Sequence, residues 1–485
     1  MFRPVIQRLF KAQFSPRLYS SVIIKEGASP ILSEDEIFKR FQIEGTDEAS
    51  TKELSDIVKT RGIRADDPRI TTSKKLLRKF VKKRNLDSDV RHYRLPKTEF
   101  LECVRPCLSL ISQAVRNELI IPSWTPFTQK MTMMFEECRS NNDGSVATYI
   151  PQLARQNPES WGMSVCTVDG QRFGIGDSRE PFCFQSVSKP FTYAVVSTDI
   201  GSDKVHQYIG QEPSGRLFND ICLDNNMKPH NPMVNAGAII CASLIKTGQF
   251  MSDRYDFIYN EYKKLAGGTY IGFDNATFLS ERSTASRNFA LAFFMKENNC
   301  FPEGMKVMRD ELDLYFQLCS LETDCESAAV MAATLANGGV CPLTGESCVT
   351  HRACRDVLSL MYSCGMYDYS GQFAFSVGIP AKSGVSGGLI LVIPNVMGIC
   401  LYSPKLDRCG NSVRGVEFAK KMVECMGLHN YDSLLHSDEK KLDPRKDWTL
   451  RKDLWPGIEK IKPKGIGRSS AHEKRHERPP KNVKK

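Results

Sequence analysis

Hydrophobic and polar positions change their period along this chain. Between residues 31 and 118 the period is helical. After Ser33-Glu34-Asp35-Glu36, the apolar residues Ile37, Phe38 and Phe41 recur at the spacing of one helix face. Thr51-Lys52-Glu53-Leu54 opens a second helical segment, with Thr51 as its expected cap. Further segments cover 73–83 and 97–117, and Asp66-Asp67-Pro68 breaks the second from the third. The region 31–118 reads as a small helical bundle without evident chemistry. From Trp161 the pattern becomes strand-like. Trp161 to Val168, the pair Asp169-Gly170 and Gln171 to Ile175 predict a hairpin. A second hairpin is predicted at 388–393 and 396–402, joined through Pro394-Asn395. Stretches such as 327–337 and 352–363 between the hairpins are helical, and Val413 to Cys425 reads as a closing helix. Early strands, a helical middle and late strands imply an α+β fold, an antiparallel sheet with segregated helices.

Composition narrows the class. The 485 residues are 41% hydrophobic and 25% charged, values of a globular chain with a large core. No apolar run reaches the roughly 18–20 residues of a membrane span. The longest, Gly387 to Tyr402, is interrupted by Pro394-Asn395. The net charge is +10, but residues 1–25 carry +5 and residues 456–485 carry +7, which leaves the body at −2. A nearly neutral body is no footprint for nucleic acid. At the N-terminus Phe2, Val5, Ile6, Leu9 and Phe10 share a helix face opposite Arg and Lys, and no acid interrupts the stretch. That is the pattern of a mitochondrial transit peptide over residues 1–20. Residues 431–485 read as a basic, largely disordered tail. The 17 cysteines show no C-x-x-C pair, and Cys348-x-x-His351-x-x-Cys354 lacks a fourth ligand. Reduced core thiols and no metal are expected.

Chemistry concentrates at Gln185-Ser186-Val187-Ser188-Lys189. In S-x-x-K, residues i and i+3 share a helix face, so the Ser186 hydroxyl falls within reach of the Lys189 amine. A buried lysine loses pKa and can act as base to a serine nucleophile. A helix start offers free N–H donors to an oxyanion. Downstream, Lys382-Ser383-Gly384-Val385 precedes the late hairpin. S-x-x-K followed by K-[ST]-G is the pattern of serine β-lactamases and penicillin-binding proteins, although their third element, S-D-N, is absent here.

The resemblance then becomes more particular. Tyr149-Ile-Pro-Gln-Leu153, Trp161 to Gly170, Lys228 to Ala238, Ser280-Glu281, Arg287 to Ala290, Tyr315 to Ser320, Met331 to Gly339 and Cys364 to Asp368 resemble the serine-dependent glutaminases. The match is to the animal kidney-type and liver-type mitochondrial enzymes. It implies a β-lactamase-like domain over residues 120–430 that hydrolyses L-glutamine to L-glutamate and ammonia. It implies Ser186 as nucleophile and Lys189 as its base, with Tyr367 and Tyr149 beside them. The N–H groups of Ser186 and Val385 would form the oxyanion hole. Glu281 would hold the α-ammonium, and Asn235, Asn288 and Tyr315 the α-carboxylate, with Gln185 and Tyr367 also touching substrate. No cofactor is implied, but inorganic phosphate is implied as activator, together with homodimers, homotetramers and filaments in the mitochondrial matrix. A regulatory loop would include Phe218, Ile221, Cys222 and Leu223, with Phe294. The chain departs from the family pattern at Cys222, where an aromatic is usual, at Asp220, near which a lysine is usual, and at Phe294, where tyrosine is common. The animal enzymes continue beyond the segment Lys441 to Arg445 into ankyrin repeats. No such signature follows here, and a short form is expected. The rival readings are another acyl-transfer enzyme on this fold and a catalytically silent scaffold subunit.

Overall fold

A computed structural model describes residues 31–84, 93–215, 220–432 and 441–448. The expected transit peptide, Phe218 of the loop, and the tail beyond residue 448 lie outside them. At the centre is a five-stranded antiparallel sheet. Its order is Arg172–Gly176, Gly162–Thr167, Met397–Tyr402, Gly388–Ile393, Ala381–Ser383. The two hairpins expected from Asp169-Gly170 and Pro394-Asn395 are both present, and the late one pairs with the early one through Met397↔Thr167 to Tyr402↔Gly162.

The strands Gly388–Ile393 and Met397–Tyr402 read as unbroken apolar runs because both faces are covered. On one face Met163, Val165, Leu389, Leu391, Ile399 and Leu401 pack against the helices Trp124–Arg139 and Val413–Cys425. Phe135 stacks flat on Trp161 there, with ring centroids 4.6 Å apart. On the other face Cys166, Ile390, Val392, Cys400 and Tyr402 meet the larger helical cluster. Its innermost member, Cys325–Ala336, is buried at every residue but Glu326. Neighbouring residues of one strand thus belong to two cores, as the two-residue repeat of a strand requires.

The N-terminal helices form a third core around Ile37, Phe38, Phe41 and Phe100. Ser33 and Glu36 make a reciprocal capping box. The second helix corrects the expected cap: Ser50, in extended conformation, accepts from the Glu53 N–H, whereas the Thr51 hydroxyl bonds the Tyr93 carbonyl. The segment expected over 97–117 is two helices, Lys97–Val104 and Leu108–Arg116, separated by a short 3₁₀ turn containing Pro106. Proline lacks the N–H an uninterrupted helix needs. This region grips the rest of the chain at the first hairpin. Arg69 donates to the carbonyls of Asp169 and Gly170 at 2.6 and 3.2 Å, and Arg172 N–H reaches the Gly62 carbonyl at 2.9 Å.

A further correction concerns the tail. Residues 441–448 pack onto the body, and Trp448 is buried edge-on to Phe127. Its backbone N–H donates to Ser123 Oγ and its indole to the Asp443 carbonyl. The basic composition of the segment conceals two apolar anchors, Leu442 and Trp448, that the core absorbs.

Candidate active site

The strand Phe182–Cys183 runs into a 3₁₀ turn, Gln185–Val187, which continues as the helix Ser188–Ile200. Gln185 holds a left-handed backbone, φ +48°, at a non-glycine position. Such a conformation costs on the order of 1–2 kcal/mol. Here it is held on both sides: Ser188 Oγ donates to the Gln185 carbonyl at 2.7 Å, and the Gln185 amide donates to Glu281 at 3.0 Å. The turn presents Ser186, half-buried, at the head of a helix whose first ten residues are buried.

Lys189 lies three residues on, 2% exposed, and its Nζ donates to Ser186 Oγ at 2.5 Å. It donates also to Asn235 Oδ1 at 3.0 Å, and Asn235 Nδ2 donates in turn to Asn288 Oδ1 at 3.1 Å. Asn235 does not cap its helix; it stands at the first helical position with its amide spent on this chain. Burial lowers the Lys189 amine from 10.5 to about 8, against the pull of Cys319 and Glu281 toward the charged form. A lysine so poised is neutral in a useful fraction near physiological pH.

On the other flank Glu281 Oε1 accepts from Tyr149 Oη at 2.6 Å and from Gln185 Nε2. Glu281 does not pair with Arg282, which bridges to Asp313 instead. Burial raises the Glu281 pKa, while its hydrogen bonds to Tyr149 and Gln185 restrain the rise. Tyr149 is half-exposed, with its hydroxyl turned onto that carboxylate; desolvation and then the charge of Glu281 raise its pKa. Tyr315 is buried, with its ring 5.8 Å from Lys189 Nζ, and its pKa is raised by burial and by Cys319.

The turn after Ala381–Ser383 closes the site. Gly384 packs so near the nucleophile turn that a Cβ there would meet the Phe184 carbonyl at 2.9 Å. Val385, the next residue, shares with Tyr367 the space beside Gly410. Neither the Ser186 nor the Val385 N–H has an acceptor among the described backbone hydrogen bonds. Tyr367 has φ +53°, and burial raises its phenol pKa while the Ser186 hydroxyl beside it draws the value back. A cleft of about 760 Å³ reaches Tyr367 and is lined by Asn231, Val234 and Asp368 among others.

The residues singled out in the sequence thus converge: Ser186, Lys189, Tyr149, Gln185, Asn235, Glu281, Asn288, Tyr315, Tyr367 and Val385 form one connected site. Of the loop, Ile221 is exposed, and Cys222, Leu223 and Phe294 are half-buried. Two residues had no role in the sequence reading. Cys319, four residues after Tyr315 on one helix, sits beside Lys189, and burial pushes its thiol up to about 12. Lys382, seen only as part of a motif, lies over Tyr367. Among the described residues no three His, Cys, Asp or Glu side chains converge as metal ligands.

A serine–lysine pair at a helix start, beside the edge strand of a sheet covered on both faces, defines an amide hydrolase of the β-lactamase-like fold. The chain belongs to the glutaminase family, whose model matches residues 144–431. A second model, described as an EF-hand domain, matches residues 33–122. The chain is 56% identical to putative glutaminase 2 of Caenorhabditis elegans, over 85% of this chain and 69% of that protein. It is 47% identical to the mitochondrial liver isoform of glutaminase from Mus musculus, over 83% of this chain and 66% of that protein. It spans about two thirds of the length of these animal relatives. A solved structure titled as probable glutaminase ybaS is 34% identical, covers 61% of this chain and 95% of its own, and superposes with a TM-score of 0.58.

Proposed function

We propose that the protein hydrolyses the side-chain amide of L-glutamine to L-glutamate and ammonia through a glutamyl-Ser186 intermediate. The observation that carries this reading is the 2.5 Å contact between the buried, low-pKa Lys189 amine and Ser186 Oγ. Lys189 takes the Ser186 proton as Oγ attacks the amide carbon. The N–H groups of Ser186 and Val385 receive the oxyanion, and each such donor is worth on the order of 10²–10³ in rate. Tyr367 relays a proton to the departing ammonia. Water, deprotonated by the same machinery, then releases glutamate.

The substrate carries both charges at its α-carbon. Glu281, with Tyr149 and Gln185 bonded to it, suits the α-ammonium. Asn235, Asn288 and Tyr315 suit the α-carboxylate and the chain. A substrate without the α-ammonium would leave the buried Glu281 with its hydrogen bonds but no counter-charge, which is costly. We infer further that inorganic phosphate activates the enzyme, that it forms homodimers and homotetramers and assembles into filaments, that the loop around Ile221, Cys222 and Leu223 with Phe294 regulates activity at the subunit interface, and that it works in the mitochondrial matrix. The mitochondrial rodent relatives and the basic, acid-free N-terminus support the location.

Ammonia release from L-glutamine by the purified protein, with and without phosphate, tests these statements. Turnover that rises with phosphate and disappears in Ser186→Ala supports them. A Ser186→Ala variant with activity near wild type sinks the nucleophile assignment. Turnover indifferent to phosphate removes the activation.

A further inference from the structure

Lys382 has no part in the chemistry above, yet it is fully buried at the edge of the site. Its Nζ donates to the Ser383 carbonyl at 2.7 Å and stands 4.3 Å from the centroid of the Tyr367 ring. Among the described residues it has no carboxylate partner. A buried ammonium without a counter-charge is expensive, so such an amine sheds its proton. The titratable groups facing it are Lys189 from the nucleophile helix, Cys364 from the helix His351–Cys364, and Tyr367 itself. Burial and then the Lys189 charge lower its pKa well below the ordinary value.

Tyr367 needs holding. Its left-handed backbone is uncommon for an aromatic residue. The turn is fastened by Ser370 Oγ, which donates to the Tyr367 carbonyl at 2.7 Å and accepts from the Met366 N–H. Asn411 Nδ2 donates to the Met366 carbonyl at 3.3 Å. Ser383 N–H donates to the Gly365 carbonyl at 3.3 Å, which ties the turn to the strand that carries Lys382. Gly410 leaves the space beside the ring open: a Cβ there would already lie 3.7 Å from it. These contacts fix the backbone. The Lys382 side chain bears on the face of the ring itself.

We propose that Lys382 is a positioning residue for the reaction: its buried amine, pinned to the Ser383 carbonyl, supports the Tyr367 ring so that the phenol stays at the Ser186 hydroxyl. This rests on the reading of Tyr367 as the proton relay. Lys382 touches neither substrate nor reacting atoms and acts through Tyr367 alone. A neutral amine is suited to the place, because a second permanent cation beside Lys189 would disfavour the ammonium that Lys189 becomes during acylation.

The test uses Lys382→Met, which keeps the stem and removes the amine, in wild-type and Tyr367→Phe backgrounds. Two readouts run in parallel: glutamine turnover with its pH profile, and the rate at which a fluorophosphonate labels Ser186. The expected result is a kcat loss of about 10–100-fold, the size of effect a small misplacement brings, with KM changed less than about threefold. The acid limb of the profile stays in place, since the amine lost was neutral. In Tyr367→Phe the same substitution costs nothing further, because the two residues act as one unit. Lys382→Arg, a permanent cation, shifts the acid limb to lower pH by disfavouring protonated Lys189. Where Lys382→Met does not fold, Lys382→Gln, which keeps a donor for the Ser383 carbonyl, carries the comparison. Full kcat in Lys382→Met, a loss confined to KM, or losses that multiply in the double variant would each overturn the proposal. A wild type that labels at Ser186 but leaves glutamine intact overturns the substrate reading instead, and the labelling rates still decide the role of Lys382.

Discussion

Lys189 shows how one side chain acquires its chemistry from its surroundings. Five bonds from the Cα, its amine is buried, and among the described residues the hydrogen-bond acceptors it reaches are the Ser186 hydroxyl and the Asn235 side-chain amide oxygen. Both accept hydrogen bonds from a neutral or a charged amine, so neither pays fully for the lost hydration. The amine therefore falls to about 8. The neutral form is the base, so kcat/KM should rise about tenfold per pH unit below that value and level off above it. Steady-state rates between pH 6 and 9.5 check this, and a flat profile would contradict Lys189 as base. Glu281 belongs to the same scale. Its raised pKa leaves it ready to gain from an ammonium partner. Glu281→Gln keeps the hydrogen bonds to Tyr149 and Gln185 in part and removes the charge. It should raise KM for glutamine about tenfold or more, the range expected for one charged contact; an unchanged KM would place the α-ammonium elsewhere.

Among the elements, the central strand Met397–Tyr402 and the helix Cys325–Ala336 pack backbone against backbone at Gly398. This is possible because of two kinds of small residue. The helix offers Ala328, Ala329, Ala332 and Ala333, all fully buried, and the strand offers Gly398. A methyl group at Gly398 would overlap the backbone of Ala332 and Ala333. Gly398→Ala should therefore force helix and sheet apart and cost about 1–3 kcal/mol, as overpacking does. Thermal unfolding of the variant measures it, and wild-type stability would mean that the helix retreats freely. The same helix backs the sheet whose edge carries Lys382 and Val385, so the loss should extend to activity at temperatures below the unfolding transition.

At the scale of the molecule there are three cores, two of which share the strands of one sheet. The N-terminal helices hold the first hairpin through Arg69, Gly62 and the buried Gln171 amide, which donates to the carbonyls of Arg61 and Ile121. The C-terminal segment closes the face opposite the helical cluster through Trp448. Ser123 Oγ accepts from the Trp448 N–H and donates to Asp447, so the first turn of the helix Trp124–Arg139 and the chain's distal segment share one hydroxyl. Trp448→Ala should destabilise the body by about 3–5 kcal/mol, the cost of emptying an aromatic site in a core. It should leave kcat of the folded protein unchanged at low temperature. A melting temperature equal to wild type would mean that residues 441–448 are dispensable to the body.

Much of this was legible in one dimension. The hairpins followed from Asp169-Gly170 and Pro394-Asn395 because turn chemistry is local, and the helices followed from their apolar period. The nucleophile and its base were legible for the same reason: Ser186 and Lys189 are three residues apart, and a helical turn alone brings them together. Glu281, Asn288 and Tyr315 entered through the likeness of their motifs to a family, since no spacing links them to Ser186. Three features lay beyond the sequence. The cap is Ser50 rather than Thr51, because the Thr51 hydroxyl is claimed by Tyr93, 42 residues away. Trp448 was hidden in a basic segment, because burial depends on the surface it meets and not on its neighbours in the chain. Lys382 stood in a recognised motif without a task, because its task depends on Tyr367, which only the approach of a strand and a turn sets over its amine. The sequence determined the elements and the reacting pair, where the governing forces act within a few residues. The tertiary structure alone decided which groups lose water together, and with that their pKa values, since desolvation is a property of the packed whole.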